Sequence, residues 1–248
     1  LIGHWVSALA DRVVPVAHAV ARHYGVAERP KTTVIYEPVD TGFFAARDDH
    51  QQSGQPYTIG LIANWNRLKG QDRFITVIEQ LRRAGMDAHG FIFGAFLDSQ
   101  RNYWDPLLRR IKQSGTAEAI ACRGFVEDVP GAIADLDMML LTSRSEACPL
   151  SVLEAMSVGI PQLCFRVGGI DELLGTDTDD PAGLVVPEGD VEAMVAAVRR
   201  LFDDPEQCRR LAKAGQERAR RLFSVEVCVQ AHLDVYAAAI AARRDHRA

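Results

Sequence analysis

The stretch Ser143-Arg-Ser-Glu-Ala-Cys-Pro-Leu-Ser-Val-Leu-Glu-Ala-Met-Ser-Val-Gly-Ile-Pro161 lies between two short apolar runs, Asp137-Met-Met-Leu-Leu141 and Gln162-Leu-Cys-Phe165. Pro149 suits a first helical turn, where its missing N–H has no partner to lose. Leu150, Val152, Leu153, Met156 and Val158 then give a largely apolar helix, which Gly159 and Pro161 stop. Strand, loop, helix and strand in this order form one unit of a parallel sheet. At the start of such a helix the backbone N–H groups of Leu150 and Ser151 have no intrahelical acceptor, and the helix end is positive. It is a ready seat for a phosphate. Glu146 falls in the loop before the helix and Glu154 about one turn inside it. One carboxylate can meet the uncharged end of a ligand while the other holds hydroxyls beyond the phosphates, an arrangement that suits a sugar nucleotide.

The same alternation extends in both directions. Tyr57-Thr-Ile-Gly-Leu-Ile62 reads as a strand, and Gln71 to Arg83 carries Phe74, Val77, Ile78 and Leu81 at helical spacing. Strands are expected at Gly90–Phe93, Ile120–Cys122 and Gly183–Val186, and helices at 106–113, 190–202, 205–223 and 225–243. This pattern implies an α/β fold, a doubly wound, Rossmann-like parallel sheet with ligands at the carboxyl ends of its strands. The polar stretch from Ala46 to Pro56 reads as a hinge separating the first 45 residues from the sheet.

Composition narrows the function classes. With 48% hydrophobic and 25% charged residues the chain is an ordinary globular one, and its net charge of -5 argues against nucleic acid as a partner. The five cysteines, at 122, 148, 164, 208 and 228, lack CxxC spacing and fit reduced thiols in the cytoplasm. No uninterrupted run of about 20 apolar residues occurs, so no membrane span is expected. Opening at Leu1 without a Met, the chain reads as a piece of something longer.

Lys69-Gly70 follows the first strand, with Asn64 and Arg67 just before it. Cations in a loop between a strand end and a helix can neutralise a diphosphate; a solvated surface loop is the plain alternative. Phe125 and Val126, after a short strand, offer a wall for a nucleobase or ordinary packing. Asp135/Asp137 and Asp177/Asp179 have a D-x-D spacing that can hold a divalent metal, but their settings, a helix-to-strand junction and a polar loop, speak against convergence. The seven histidines form no HxH or HxxxH pair, and no metal site is expected. The basic run from Arg209 to Arg221 reads as a solvated helix face, with contact to anionic lipid as the lesser reading.

With these residues laid out, the chain resembles the carboxyl-terminal half of the retaining glycosyltransferases of family 4, which have the two-domain GT-B architecture. The resemblance rests on Val34-Ile-Tyr-Glu-Pro-Val-Asp40, Lys69-Gly70, Gly124-Phe-Val-Glu-Asp-Val-Pro130, the glutamates 146 and 154, Val167-Gly-Gly-Ile-Asp-Glu172, Ala182-Gly-Leu-Val-Val-Pro-Glu-Gly-Asp190 and Leu201-Phe-Asp-Asp-Pro205. It implies residues 1–45 as a remnant of the acceptor domain, 46–56 as linker, 57–224 as the domain binding the nucleotide-sugar donor, and 225–248 as a helix returning toward the acceptor domain. It also implies Lys69 on the diphosphate, Glu146 by the donor sugar, Glu154 on the ribose hydroxyls, and backbone amides after Pro149, near Leu150 and Ser151, facing the phosphates. Asn64 stands where the family usually has an arginine, with Arg67 as the nearby substitute. Ala147-Cys148 replaces the usual pair after the first glutamate.

The expected activity is metal-independent transfer of a sugar, with retained configuration, from a nucleotide diphosphate sugar to a hydroxyl. Glu146 and Lys69 are the expected catalytic residues, and Asn64, Arg67, Phe125, Val126, Pro149, Leu150, Ser151 and Glu154 the donor-binding ones. No cofactor is expected; the acceptor is an unspecified glycan or lipid-linked group. The setting is cytoplasmic polysaccharide or glycolipid synthesis, with peripheral contact at the membrane face. A nucleotide-sugar-binding module without activity and a sugar-nucleotide epimerase are the competing readings.

Overall fold

In a computed structural model that describes residues 9–45 and 56–245, the apolar runs pair into one six-stranded, wholly parallel sheet. The strands are β1 (Tyr57–Ile62), β2 (Ala88–Phe93), β3 (Ile120–Gly124), β4 (Met138–Leu141), β5 (Gln162–Phe165) and β6 (Leu184–Val186), in the order β3-β2-β1-β4-β5-β6. β4 and β5 are buried along their whole length, as continuous apolar strands covered on both faces must be. The order reverses between β1 and β4, which pair through Ile59↔Met138 and Gly60↔Met139. Connections leaving these two strands diverge to opposite faces, and a crevice opens at their carboxyl ends.

The helices are α1 (His18–His23), α2 (Gln71–Arg83), α3 (Arg101–Gln113), α4 (Val129–Ala134), α5 (Leu150–Val158), α6 (Ile170–Leu174), α7 (Val191–Asp203), α8 (Pro205–Leu222) and α9 (Val225–Asp245). α2 buries Phe74, Ile75, Val77, Ile78 and Leu81, the stripe its spacing foretold. α5 buries Val152, Leu153, Ala155, Met156, Ser157 and Val158 between β5 and α8, which is why it is apolar nearly all round.

One expectation needs correction. α3 starts five residues before Pro106, which sits inside it. Both Pro106 and Asn102, whose carbonyl loses its helical partner, are exposed, so the orphan group lies on the solvent side of the helix. Tyr103 and Trp104 anchor the added turn: the Trp104 indole donates to the Leu97 carbonyl at 3.0 Å and its ring meets Phe96 edge-on. Val225–Arg244 in α9 has a mean hydropathy of 1.3 and is long and apolar enough by length and composition to cross a membrane, with 6% of it buried; length and composition alone do not overturn the expectation of no membrane span. Glu226 and Asp234 interrupt its apolar run. Arg243 pairs with Asp11 and Arg12 donates to the Ala238 carbonyl, tying α9 to the start of the described chain.

Residues 56–224 carry the sheet, and the segment 9–45 lies directly on them. Val39 donates its N–H to the Phe223 carbonyl at 2.7 Å, Ser157 donates its hydroxyl to the Phe44 carbonyl at 2.7 Å, and Tyr36 meets Phe223 edge-on. The expected linker, 46–56, falls outside the described residues except for Pro56. All five cysteines are free thiols.

Candidate functional site

The loops after β1 and β4 meet at the switch point. After β1, the fully buried Trp65 stacks on Phe96 with ring centroids 4.8 Å apart and fixes the loop root. The Asn66 side chain then accepts from the Leu68 N–H at 2.9 Å and closes a short helical turn, Arg67–Lys69. Gly70 follows with φ 72, and a Cβ there would lie 2.1 Å from the Thr142 carbonyl oxygen. Only glycine lets the β1 loop lie this close to the end of β4. The Thr142 hydroxyl donates to the Gly70 carbonyl at 2.9 Å, and the Arg144 N–H to the Leu68 carbonyl at 2.7 Å. Lys69-Gly70 is thus a docking step between two loops as well as a source of charge.

That docking aims Lys69 at Glu146. The ammonium donates to both carboxylate oxygens, at 2.8 and 3.0 Å, with side-chain exposures of 33% for Lys69 and 7% for Glu146. Pro149 caps α5 through its backbone and supplies no side-chain bond, which leaves the Leu150 and Ser151 N–H groups to an outside acceptor. Leu150 is 48% exposed, so this helix start is open. Glu154 is half-buried on the same helix, and its burial raises the carboxyl above its ordinary range with no opposing charge or hydrogen bond among the causes.

The remaining sequence-chosen residues are placed less directly. The Asn64 side-chain oxygen accepts from the Ala95 N–H at 2.9 Å and holds the β1 and β2 loops together. Arg67 is exposed, and it is its carbonyl that accepts from Arg144 at 2.7 Å. Phe125 is 73% exposed after the edge strand β3, while Val126 packs on the core. Among the described residues neither lines the cleft beside Glu146. Asp137 spends its carboxylate on Thr58, accepting from its N–H at 2.7 Å and its hydroxyl at 2.8 Å, at the amino end of the sheet. No group of three or more His, Cys, Asp or Glu side chains among the described residues is arranged to hold a metal ion.

Three further features complete the site; of these the sequence offers only Gly168-Gly169, as a close backbone approach after a strand with a plain tight turn as the equal alternative. Arg144 forks onto Asp72 at 2.9 and 2.6 Å, and the Tyr103 hydroxyl donates to the same carboxylate at 2.8 Å. Burial acts to raise the Asp72 carboxyl, but the bonds from Arg144 and Tyr103 outweigh it and hold it below the ordinary range. Gly168, φ 54, is the second: a Cβ there would lie 1.7 Å from the Glu146 carbonyl oxygen. Gly168→Ala is therefore expected to displace the Glu146 loop and to lower unfolding free energy by about 1–3 kcal/mol in urea titration. The third is the opposite wall. A cleft of about 650 Å³ runs between Arg144, Ser145, Glu146, Ala147, Val167 and Gly168 on one side and Ala19, Val20, His23 and Tyr24 of the α1 region on the other. Cys148 lies buried behind it with its thiol pushed up to about 11 by burial, so it is no nucleophile at neutral pH.

Comparison with known proteins gives this geometry a family. The profile of the family "Glycosyl transferases group 1" matches residues 43–218. The chain belongs to that family. It is 24% identical over 239 residues to the lipopolysaccharide core biosynthesis mannosyltransferase LpsB of Rhizobium meliloti, covering 94% of this chain and 68% of that one. It is 30% identical over 225 residues to the GDP-mannose-dependent alpha-(1-6)-phosphatidylinositol monomannoside mannosyltransferase of Mycolicibacterium smegmatis, covering 84% of this chain and 57% of that one. Anabaena Alr3699/HepE, solved in complex with UDP, superposes with a TM-score of 0.85 at 20% identity, over 95% of this chain and 66% of HepE. This group 1 chain thus has the parallel sheet of a GT-B glycosyltransferase and spans about two thirds or less of the length of these proteins.

Proposed function

We propose that this group 1 chain is the donor-binding half of a retaining glycosyltransferase, which moves a sugar from a nucleotide diphosphate sugar to a hydroxyl of a glycan or lipid-linked acceptor. The contact of Lys69 with both oxygens of Glu146, at 2.8 and 3.0 Å and four residues before the open start of α5, carries the reading. Cleavage of the sugar–phosphate bond builds negative charge on the departing diphosphate and positive charge on the ring. Lys69 and the α5 amides stabilise the first where it develops, and Glu146 faces the second. Fixed cationic and N–H groups do the work a metal would otherwise do. In retention the acceptor attacks from the leaving group's own face, and a phosphate oxygen takes its proton. The names of two relatives, one for lipopolysaccharide core biosynthesis and one for a phosphatidylinositol monomannoside mannosyltransferase, support a glycan or glycolipid role. Under this reading residues 57–224 hold the donor and the segment before them belongs to the acceptor side. Thermal melts with UDP, GDP, UDP-glucose and GDP-mannose test it: stabilisation by at least one nucleotide pair is expected. A chain indifferent to all four would not be a donor-binding half.

Glu154 gives a sharper check. Its carboxylate accepts the ribose hydroxyls, and each charge-assisted bond is worth ~1.5–3 kcal/mol. Glu154→Gln should weaken nucleotide binding by about tenfold or more. Because burial raises this carboxyl with nothing opposing it, the folded free chain bears a cost when Glu154 ionises. That cost is absent below the ordinary carboxylate pKa and fully present above the raised one. Glu154→Gln should therefore raise the melting temperature of the ligand-free chain at pH 7, and the gain should vanish at acid pH. A variant that melts lower at pH 7, or binds nucleotide unchanged, would contradict the role.

A further inference from the structure

We propose that Glu172 is a positioning residue for the sugar-bearing end of the donor, acting through α1 and the Glu146 loop; this rests on the cleft being the sugar site. α1 is six residues long, and Ala17 at its N-cap offers no side-chain bond. So short a helix does not hold itself in water. Its cap comes from the far side of the chain. Glu172 Oε2 accepts the His18 N–H at 2.7 Å and Oε1 the Ala19 N–H at 2.7 Å, while Arg22 donates to Oε1 at 3.1 Å and the Tyr36 hydroxyl to Oε2 at 3.3 Å. Both oxygens and both free helix N–H groups are satisfied by one another, and the negative charge sits at the positive helix end. Burial, with the Glu172 charge beside it, pushes the Tyr36 phenol up to about 12, so it remains a donor.

The other end of the lever is the catalytic loop. α6, which carries Glu172, begins at Gly168-Gly169, and the Gly169 N–H donates to the Ala147 carbonyl at 3.2 Å. Gly168 lies on the Glu146 carbonyl with no room for a Cβ. From behind, Arg218 donates to the carbonyls of Glu172 and Leu173 at 2.8 and 2.7 Å and stops α6 from sliding. One carboxylate therefore sets the spacing between the wall of Val20, His23 and Tyr24 and the wall of Glu146 and Ala147, the two sides of the cleft. Among the described residues Glu172 has no hydrogen bond to Lys69 or to α5, so its reach to the nucleotide end runs only through the Glu146 loop.

Calorimetry of the whole chain with UDP, GDP, UDP-glucose and GDP-mannose separates these ends. In Glu172→Ala the affinity for UDP or GDP should stay within about twofold of wild type, while the extra affinity contributed by the sugar should fall by about tenfold. Glu172→Gln, which keeps one strong acceptor oxygen and the shape of the side chain, should lose less and serves if the alanine variant fails to fold. Amide hydrogen exchange over His18–Tyr24 should rise in both. Parallel loss of nucleotide and nucleotide-sugar affinity would show a merely structural role, and would overturn the proposal, as would a wild-type chain that gains no affinity from either sugar or exchange that does not change. A wild-type chain that binds none of the four compounds defeats instead the reading of the cleft on which the proposal stands.

Discussion

Glu146→Gln is expected to cut sugar transfer, followed as release of UDP or GDP from the sugar nucleotide, by about 10²–10³-fold while leaving the affinity for free UDP or GDP equal or higher. The first effect follows from removing the negative group that faces the ring as it becomes positive. The second follows from the ion pair itself. Both oxygens of Glu146 hold the Lys69 ammonium, so an arriving diphosphate competes with Glu146 for the same cation. Glutamine is a neutral and weaker competitor. Lys69 is a third exposed, so it re-solvates once the carboxylate is gone, and the variant should fold. A variant that loses nucleotide affinity along with turnover would mean that Glu146 builds the pocket rather than acting on the sugar.

Lys69→Ala should do the reverse. Removing the cation is expected to weaken UDP or GDP binding by about 10–100-fold, with little change for uridine or guanosine, because a bond to a charged phosphate is worth ~1.5–3 kcal/mol and the nucleoside makes none. It should also cost stability, since the Glu146 side chain, 7% exposed, is left charged without its partner. The double variant Lys69→Ala/Glu146→Gln should recover much of that stability and none of the diphosphate affinity. Calorimetry and chemical denaturation on the same samples read both quantities. Equal loss for nucleotide and nucleoside would count against phosphate contact by Lys69.

Local rules made most of the fold legible. β1, α2, α5 and β5 fall where apolar runs and helical spacing put them, with Pro149 and Gly159 marking both ends of α5. The same rules misplaced the start of α3, which was expected at Pro106 and begins five residues earlier, with the proline standing on an exposed face within the helix. Helices of five or six residues, such as α6, hold too few turns for a period to show. At the site, Lys69, Glu146 and the α5 start could be found because the switch point brings strand ends together by topology alone. Arg144, two residues before Glu146, stood in plain view, but its partner Asp72 lies 72 residues away. The carboxylate of Glu172 reaches across 154 residues to cap α1. No local pattern encodes such pairs; they exist only once the sheet has folded.

The central claim is that a diphosphate takes the Lys69 ammonium over from Glu146. A crystal structure of this chain with UDP or GDP bound tests it most directly. Expected is a diphosphate held by the Lys69 ammonium and the N–H groups of Leu150 and Ser151, with the ribose hydroxyls on Glu154. A nucleotide bound elsewhere, with Lys69 still on Glu146 and the start of α5 vacant, would contradict it.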